Sequence, residues 1–315
     1  MKFVLFNDGR PGLLRDEGVI DISLAVDPGG AVRGQEAMEA VIVRIEELRP
    51  ELSRMEHEGD VIGLADVTLE APLPLPNKIL CMGGNYREFG ARNPEPMWGF
   101  RKAQSAIIGP GGAVELPDVD ANIFHHEAEL VAVFGRGGKD IKQADATDSV
   151  FGYLCGVDVS ARIYTGGPRP PRPTTELPIA PHKSYDTFAP IGPCIATKDE
   201  IVDPHHLQVQ LRVNDELRVN YNTDDLAHSI AESIEFATAM ESVAPGDMFF
   251  IGTNHQGLGA MQDGDNIEIE IESIGRFSFQ VTDRLKRVWA RGVDEATATD
   301  IRESAGGPGA KVRPL

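Results

Sequence analysis

The sequence has few cysteines, no long apolar run and no excess of basic residues. Its 315 residues include three cysteines, which are widely spaced in apolar runs: Cys81, Cys155 and Cys194. That pattern predicts reduced core thiols and argues against a disulfide framework. No run approaches the roughly 20 apolar residues of a membrane span, and the N-terminus has no basic leader followed by an apolar segment. We therefore expect a cytoplasmic protein with no membrane partner.

Acidic residues outnumber basic ones by a wide margin. The chain carries 49 Asp and Glu against 30 Lys and Arg, a formal net charge of -19. Nucleic-acid affinity depends on clustered Lys and Arg that neutralise phosphates, so no nucleic-acid partner is expected. An anionic substrate would also be repelled at long range. Any acid that this protein binds must therefore meet a local positive site, such as a metal or a buried lysine.

Glycine and proline are abundant and spread along the whole chain, with 33 Gly and 22 Pro. This distribution indicates many turns between short strands more than a helical bundle. Apolar, β-branched runs predict buried strands. These runs are residues 78–82, 129–134, 150–157, 207–213, 248–251 and 267–271. We expect a β-rich α/β protein.

Two segments have helical periodicity. Apolar residues recur at helical spacing from Gln35 to Leu48, and Arg49-Pro50 should end that helix. A second helix should run to Met240, with Thr223 or Asp224 as its N-terminal cap.

Changes in composition predict the domain boundaries. Three prolines precede a buried-looking strand near residue 75, which separates a small N-terminal α/β domain of residues 1–75 from a catalytic domain of residues 76–290. The glycine-rich end, residues 291–315, is expected to be a flexible tail. The proline-rich loop of residues 166–181 could be a linker, but a loop of this kind between catalytic segments is more often a lid.

Three acidic residues lie on two of the predicted strands. Glu127 and Glu129 are two residues apart, and the period of two places both on one face of the strand. Asp158 ends a run so apolar that its strand must be buried, where a carboxylate needs a compensating charge. Singly, such acids more often belong to a solvated face or a turn. Together they predict a metal site, because three converging carboxylates repel one another unless a cation holds them.

Oxygen-only ligands favour Mg²⁺, Mn²⁺ or Ca²⁺ over Zn²⁺. Lys183 is a further candidate for the same pocket, and its charge with that of a divalent ion would leave the three carboxylates nearly neutralised. A rival set, His125, His126 and Glu127, would resemble the facial triad of an iron oxygenase. We disfavour it because adjacent strand residues point to opposite faces.

The order of the motifs resembles that of the fumarylacetoacetate hydrolase superfamily over about two thirds of the chain, from Asn77 to about Val281. The matching segments are KILCMGGNY, FRKAQSAIIG, HHEAELVAVFG, GVDVSAR, KSYDTFAPIGP and PGDMFFIGTNHQGLG. The resemblance implies a catalytic domain built as the family's mixed β-sheet roll, a small variable N-terminal domain and a homodimer. It also implies a small-molecule 2-oxo acid as substrate, which the metal polarises as a Lewis acid.

The resemblance implies roles for individual residues. Glu127, Glu129 and Asp158 match the metal ligands, Lys183 matches the active-site lysine, and Thr253 matches a residue that contacts the substrate carboxylate. Three more match substrate-binding positions: Tyr86 of the NY motif, Lys102 and Arg162. The last two could instead form surface ion pairs.

One departure from the family pattern concerns the general base. Family hydrolases generally carry a His and a Glu just after the NY motif, where this chain has Phe89 and Arg92. Glu88 and His255 are the candidate replacements. We favour His255 over Glu88, because an imidazole needs little tuning to act near neutral pH, although a histidine at such a position more often only shapes a turn.

These features predict a metal-dependent hydrolase of carbon–carbon bonds in β-dicarbonyl or acylpyruvate-type acids. One alternative is an isomerase, tautomerase or decarboxylase of 2-oxo acids from aromatic catabolism. Another is a catalytically inactive metal-binding dimer. The missing His and Glu favour the alternatives, whereas the combination of the three acidic residues with Lys183 and Thr253 favours an enzyme that catalyses a reaction.

Overall fold

The computed structural model describes residues 1–91, 93–163 and 174–295. Most regular structure in them is β-strand. The strands are β1 (Lys2–Phe6), β2 (Arg10–Arg15), β3 (Gly18–Asp21), β4 (Val61–Gly63), β5 (Leu69–Glu70), β6 (Ile79–Met82), β7 (Gly99–Lys102), β8 (Ile107–Ile108), β9 (Ala113–Leu116), β10 (Ile123–Phe134), β11 (Val150–Arg162), β12 (Ala189–Thr197), β13 (Gln208–Val213), β14 (Glu216–Asn222), β15 (Met248–Phe250), β16 (Asn266–Ile271) and β17 (Gly275–Asp283). The α-helices are α1 (Ser23–Val26), α2 (Gly34–Val43), α3 (Ile45–Glu58), α4 (Gln143–Ser149) and α5 (Ile230–Met240).

The strands form two mixed sheets. A 12-stranded sheet runs β4-β3-β2-β1-β12-β11-β10-β15-β6-β7, with β5 beside β1 and β8 beside β12. A five-stranded sheet runs β14-β13-β16-β17-β9. Most pairs are antiparallel, but β15 with β6, β12 with β8, and β17 with β9 are parallel. The β-rich mixed-sheet fold expected from the sequence is confirmed.

The two longest strands, β10 and β11, form the centre of the larger sheet. Almost every residue of both is buried, as their nearly unbroken apolar sequences require. They pair antiparallel along their whole length, and the small irregularity between Val133 and Phe134 lies at one end. This pairing fixes the positions of the acidic residues that interrupt the two apolar runs.

The N-terminal strands continue the same sheet, since Lys2 and Phe3 of β1 pair with β12. The division into residues 1–75 and 76–290 stays a prediction. Residues 291–295, expected at the start of a flexible tail, hydrogen-bond to the body: the Gly292 carbonyl accepts from Arg218, and the Asp294 N–H donates to the Leu258 carbonyl. The remainder of that expected tail lies outside the described residues.

The first expected helix differs from the structure. It is divided at Arg44 into α2 and α3, and Pro50 lies inside α3 instead of ending it. Proline inside a helix costs about 3 kcal/mol through its missing N–H and its ring. Burial of Leu48 and Leu52 on the same helix favours the helical path, since packing outweighs local propensity in most protein helices.

The second expected helix begins later than predicted. Thr223–Asp225 forms a separate 3₁₀ turn, and α5 starts at Ile230. Ser229 caps it, because its hydroxyl accepts from the Glu232 N–H while the Glu232 carboxylate accepts from the Ser229 N–H. The three cysteines are free and buried, as expected. No helix in the described ranges is long and apolar enough to cross a bilayer.

Candidate active site and metal centre

The pairing of β10 with β11 brings the three predicted carboxylates together. Glu127 lies directly opposite Asp158, and Glu129 lies opposite Gly156. All three are buried, and one ligand atom from each lies within 4.8 Å of the others. Like charges directly opposite each other destabilise a strand pair, so this arrangement requires positive charge nearby.

Three basic side chains supply that charge. The Lys183 ammonium lies 2.6 Å from Glu127 Oε2 and 2.5 Å from Asp158 Oδ2. Lys102 Nζ lies 2.5 Å from Asp158 Oδ1, and the Arg162 guanidinium donates to Glu127 Oε1. Lys102 ends β7, Arg162 ends β11, and Lys183 closes a short 3₁₀ turn. Lys102 and Arg162, expected either at the substrate site or in surface ion pairs, therefore both lie in the cluster.

The cluster shifts the pKa values of Glu127 and Glu129 in opposite directions. Burial alone would raise the pKa of Glu127, but the charges of Lys183 and Arg162 hold it well below its ordinary value. Burial, with the neighbouring charges of Asp158 and Glu127, raises the pKa of Glu129 well above its ordinary value. Burial would lower the pKa of Lys183, yet Asp158 and Glu127 raise it, so the ammonium form is favoured.

The donor set fits a hard divalent cation. Three buried carboxylates converge on one point, and oxygen is the ligand that Mg²⁺ and Mn²⁺ prefer. The rival set fails this test, because His125 uses both ring nitrogens elsewhere: Nε2 lies 2.9 Å from Asp294 Oδ2, and Nδ1 accepts from Arg162 at 3.0 Å. Three cationic side chains already face the three carboxylates, so their charges balance. A bound divalent ion would therefore give the site the local positive charge that an anionic substrate needs.

The loop after β15 joins the same site. The Gly252 N–H donates to Glu129 Oε2 at 2.7 Å, and Gly252 has a φ of 104° that side chains rarely adopt. Thr253 follows and is buried, with its hydroxyl 3.3 Å from the Asn254 carbonyl. The expected substrate-binding threonine thus directly follows the residue that contacts Glu129.

Tyr86 is buried at the end of the NY motif. Its ring meets that of Tyr221 edge-on, with centroids 4.8 Å apart. The Tyr221 hydroxyl donates to the Ala128 carbonyl at 2.6 Å, and the buried Tyr86 hydroxyl lies near it. Through Tyr221, Tyr86 therefore packs against the strand that carries Glu127 and Glu129.

Glu88 and His255, the two candidate replacements for the missing base, contact each other. Glu88 Oε1 lies 2.6 Å from His255 Nδ1, and Glu88 Oε2 accepts from the His255 backbone N–H at 2.9 Å. Glu88 is fully buried, whereas the His255 side chain keeps 18% exposure. One ring nitrogen of His255 thus contacts a buried carboxylate, while the His255 side chain remains partly exposed.

The backbone around this contact has an unusual conformation. Glu88 and Phe89 both have a φ of 56°, a left-handed conformation that is uncommon for bulky residues and often marks functional sites. The Phe89 N–H donates to the Asp225 carboxylate, and the Gln256 side chain donates to the Glu88 carbonyl. Arg92, the other residue at an expected dyad position, lies outside the described residues.

Sequence reasoning missed the residues that support Glu127. The Ser160 hydroxyl donates to Glu127 Oε1 at 3.0 Å, and Asp294 connects to Arg162 through His125. Ser160 could have been found, since it is two residues from Asp158 on the same strand face. Asp294 had no such signal, because 169 residues separate it from His125.

Comparisons with known proteins show which family the chain resembles. Residues 78–282 match the model of the fumarylacetoacetate (FAA) hydrolase C-terminal family. A mitochondrial oxaloacetate tautomerase of Xenopus laevis is 33% identical over 282 residues, covering 85% of each chain, and a maleylpyruvate hydrolase of Aquipseudomonas alcaligenes is 31% identical over 305 residues, covering 89% of this chain and 99% of the other. A crystal structure of maleylpyruvate hydrolase from Sphingobium sp. SYK-6, in complex with manganese(II) and pyruvate, has a TM-score of 0.79 at 34% identity and covers 90% of this chain and 99% of its own. The chain belongs to the fumarylacetoacetate hydrolase family.

Proposed function

We propose that the chain is a metal-dependent hydrolase that cleaves a carbon–carbon bond in a small 2-oxo acid with a second carbonyl group, of the acylpyruvate type. The Glu88–His255 pair carries this proposal. Hydrolysis needs a general base, and the pair supplies one although the usual positions do not. The loop that holds His255 also contacts Glu129, which supports a shared site for the proposed base and the carboxylate cluster.

The hydrogen bonds assign the role of each partner. Because the Glu88 carboxylate only accepts, its contact with His255 Nδ1 requires the ring proton on that nitrogen, which leaves Nε2 as the basic atom. Glu88 also holds the His255 backbone, so it fixes both the position and the tautomer of the ring. Glu88 is thus the orienting partner and His255 the base.

The proposed reaction consumes one water. His255 Nε2 removes a proton from water, and the resulting hydroxide adds to the carbonyl carbon farther from the substrate carboxylate. The bond between that carbon and the neighbouring methylene breaks, with its electron pair left on the pyruvate fragment as an enolate. The proton held by His255 is then transferred to the former methylene carbon of this enolate, which gives pyruvate and a second carboxylic acid.

The other site residues would bind the acid and balance its charge. A divalent ion held by Glu127, Glu129 and Asp158 would polarise the 2-oxo carbonyl as a Lewis acid. The Lys183 ammonium would stabilise the enolate oxygen, and Tyr86 and Thr253 would bind the substrate carboxylate. The structural neighbour with manganese and pyruvate supports Mn²⁺ as the ion, and the oxygen donors suit Mg²⁺ equally.

A tautomerase is the second candidate. Two observations favour it. Phe89 stands where family hydrolases generally carry a histidine, and the chain is similar to an oxaloacetate tautomerase. Tautomerisation moves a proton at the carbon beside the keto group and needs no activated water. The same lysine and metal charge would stabilise the enolate that forms.

The test is NMR of an acylpyruvate in deuterated water with Mg²⁺-loaded protein. We expect cleavage by the wild type and a loss of about 10²- to 10⁴-fold in His255→Asn, the usual contribution of a general base, with metal affinity retained. His206→Asn, at an exposed histidine that contacts Asp203, is the matched control. Deuterium exchange without cleavage would favour the tautomerase, and cleavage that survives His255→Asn would remove His255 from the mechanism.

The family resemblance also leads us to propose a homodimer in the cytoplasm. Sedimentation velocity at micromolar concentration tests the assembly, since a dimer should sediment as one species of twice the 34.1 kDa chain mass. A single monomeric species would contradict it.

A further inference from the structure

A chain of polar contacts joins the C-terminal segment to Glu127. Asp294 Oδ2 lies 2.9 Å from His125 Nε2, and His125 Nδ1 lies 3.0 Å from Arg162 Nε. Arg162 Nη2 in turn contacts Glu127 Oε1. The His125 side chain is fully buried and that of Asp294 is 14% exposed, so water competes little for these contacts.

The chemistry of the groups gives each contact a direction. A guanidinium can only donate, so His125 Nδ1 must accept from Arg162. The ring proton is therefore on Nε2, which donates to the Asp294 carboxylate. Asp294 selects the tautomer of His125 in which Nδ1 can hold Arg162.

Arg162 determines how the Glu127 carboxylate is turned. Oε1 accepts from both Arg162 and the Ser160 hydroxyl, which leaves Oε2 for Lys183 and the centre of the cluster. The long arginine side chain would sample several rotamers unless a second contact fixed it. His125 provides that contact at Nε.

Contacts apart from the Asp294 side chain hold its segment in place. The Asp294 N–H donates to the Leu258 carbonyl at 2.7 Å, and Val293 pairs with Gly259. The Trp289 N–H donates to Gln262 Oε1 at 2.8 Å. A substitution of the Asp294 side chain should therefore leave the segment against the loop that carries Thr253.

We infer that Asp294 and His125 are positioning residues, which act through Arg162 to hold the Glu127 carboxylate in the orientation that binds the metal. The inference rests on the proposed metal-dependent function. Hydrogen-bond partners of metal ligands typically contribute about 10- to 100-fold to metal affinity or activity. The C-terminal segment thus forms part of the metal site without touching the ion.

The experiment is calorimetric titration of the full chain with Mn²⁺. Asp294→Ala should weaken binding by about 10- to 100-fold, whereas Asp294→Asn, which keeps an acceptor for His125 Nε2–H, should retain most of the affinity. Arg291→Gln is the matched control: it breaks the contact of a half-exposed side chain of the same segment with Asp265, 2.5 Å away, and should bind Mn²⁺ like the wild type. Thermal unfolding of each variant checks that it folds.

A double-mutant cycle with Arg162→Met separates positioning from a merely structural role. If Asp294 acts through Arg162, Asp294→Ala should weaken Mn²⁺ binding in the wild type and change it little in the Arg162→Met background. Equal losses in both backgrounds, or no loss in either, would overturn the inference. ¹⁵N NMR of the metal-free wild type gives a test that needs no variant: His125 should carry its proton on Nε2, and a proton on Nδ1 would contradict the contact chain.

The outcomes distinguish this inference from the proposed function. A wild type that binds neither Mn²⁺ nor Mg²⁺ would overturn both. A wild type that binds Mn²⁺ and cleaves an acylpyruvate, with Asp294→Ala unchanged in affinity, would overturn only the positioning role of Asp294.

Discussion

Surroundings, not residue type, distinguish the acidic residues of the site. Glu127 and Glu129 are two residues apart on one strand, yet Lys183 and Arg162 contact only the first. Glu129 instead accepts from the Gly252 N–H, a neutral donor. The cations favour an ionised Glu127, whereas burial beside Asp158 and Glu127 raises the pKa of Glu129.

This difference predicts that metal affinity depends on pH. With its pKa raised, Glu129 holds a proton where an ordinary glutamate is ionised, so a divalent ion must displace that proton. Apparent affinity should therefore rise with pH up to the raised pKa, with proton release on binding. Calorimetry in buffers of different ionisation enthalpy measures the release. Binding without pH dependence or proton release would contradict the prediction.

Substitutions of one acidic strand residue inside the site and one outside it test whether Glu129 is a metal ligand. Glu129→Ala should bind no divalent ion, because one of the three ligands is lost. Glu270→Ala, at an exposed position of β16, should bind it normally. Unchanged affinity in Glu129→Ala would show that Glu129 is not a ligand.

Lys183 is expected to contribute to the reaction more than to the fold. Removing one preorganised donor at a developing negative charge commonly costs about 10² to 10³ in rate, so Lys183→Met should lower turnover by that amount. Steady-state kinetics on an acylpyruvate measures it, and Lys142→Met, at an exposed lysine paired with Glu235, is the control. Unchanged turnover would show that Lys183 serves only as an ion-pair partner of the carboxylates.

The sequence predicted the placement of the acidic residues better than the contact between Glu88 and His255. The period of two and the apolar context were enough to place Glu127 and Glu129 on one face. The contact between Glu88 and His255 joins residues 167 apart and depends on two left-handed residues, which no local pattern indicates. The Asp294 contact was beyond sequence reasoning for the same reason.

At the scale of elements, the antiparallel register of β10 and β11 creates the site. Apolar, β-branched composition predicted both strands, and burial on both faces explains why those predictions held. Helix boundaries were predicted less well, because Ser229 and Glu232 form a capping box that local periodicity did not show, and because tertiary packing accommodates Pro50.

Gly156, opposite Glu129, leaves room for close packing in the sheet. A Cβ there would lie 2.6 Å from side-chain atoms of both Phe250 and Val131, which are buried and cannot easily move. Overpacking of this kind typically costs about 1–3 kcal/mol, so Gly156→Ala should lower the free energy of unfolding by that amount. Urea denaturation measures it.

Gly63 provides the comparison for that variant. It lies in the short strand β4, is exposed, and an added Cβ would meet no atom within 4 Å. Gly63→Ala should therefore leave the stability nearly unchanged or slightly raised. Equal effects at Gly156 and Gly63 would show that packing around Gly156 is looser than the distances indicate.

Over the whole molecule, the net charge of -19 repels an anionic substrate, whereas the metal-loaded site is expected to attract it. Salt screens long-range interactions over about 8–10 Å at physiological ionic strength, and it should therefore weaken the general repulsion more than contacts inside the site. We expect KM for a dianionic 2-oxo acid to fall as ionic strength rises, by more than KM for a monoanion. Initial-rate kinetics over a salt series tests this, and a rising KM would contradict it.

The pairing of β1 with β12 has a consequence for any shortened form of the chain. A fragment that begins after residue 75 would keep β12 and lose the strand that covers it at Ile195 and Ala196. The newly bare backbone amides and carbonyls of this apolar strand would form an open sheet edge, which readily recruits strands from other molecules. Self-association of such a fragment would then reflect a missing neighbour, not a defect of the catalytic residues that remain.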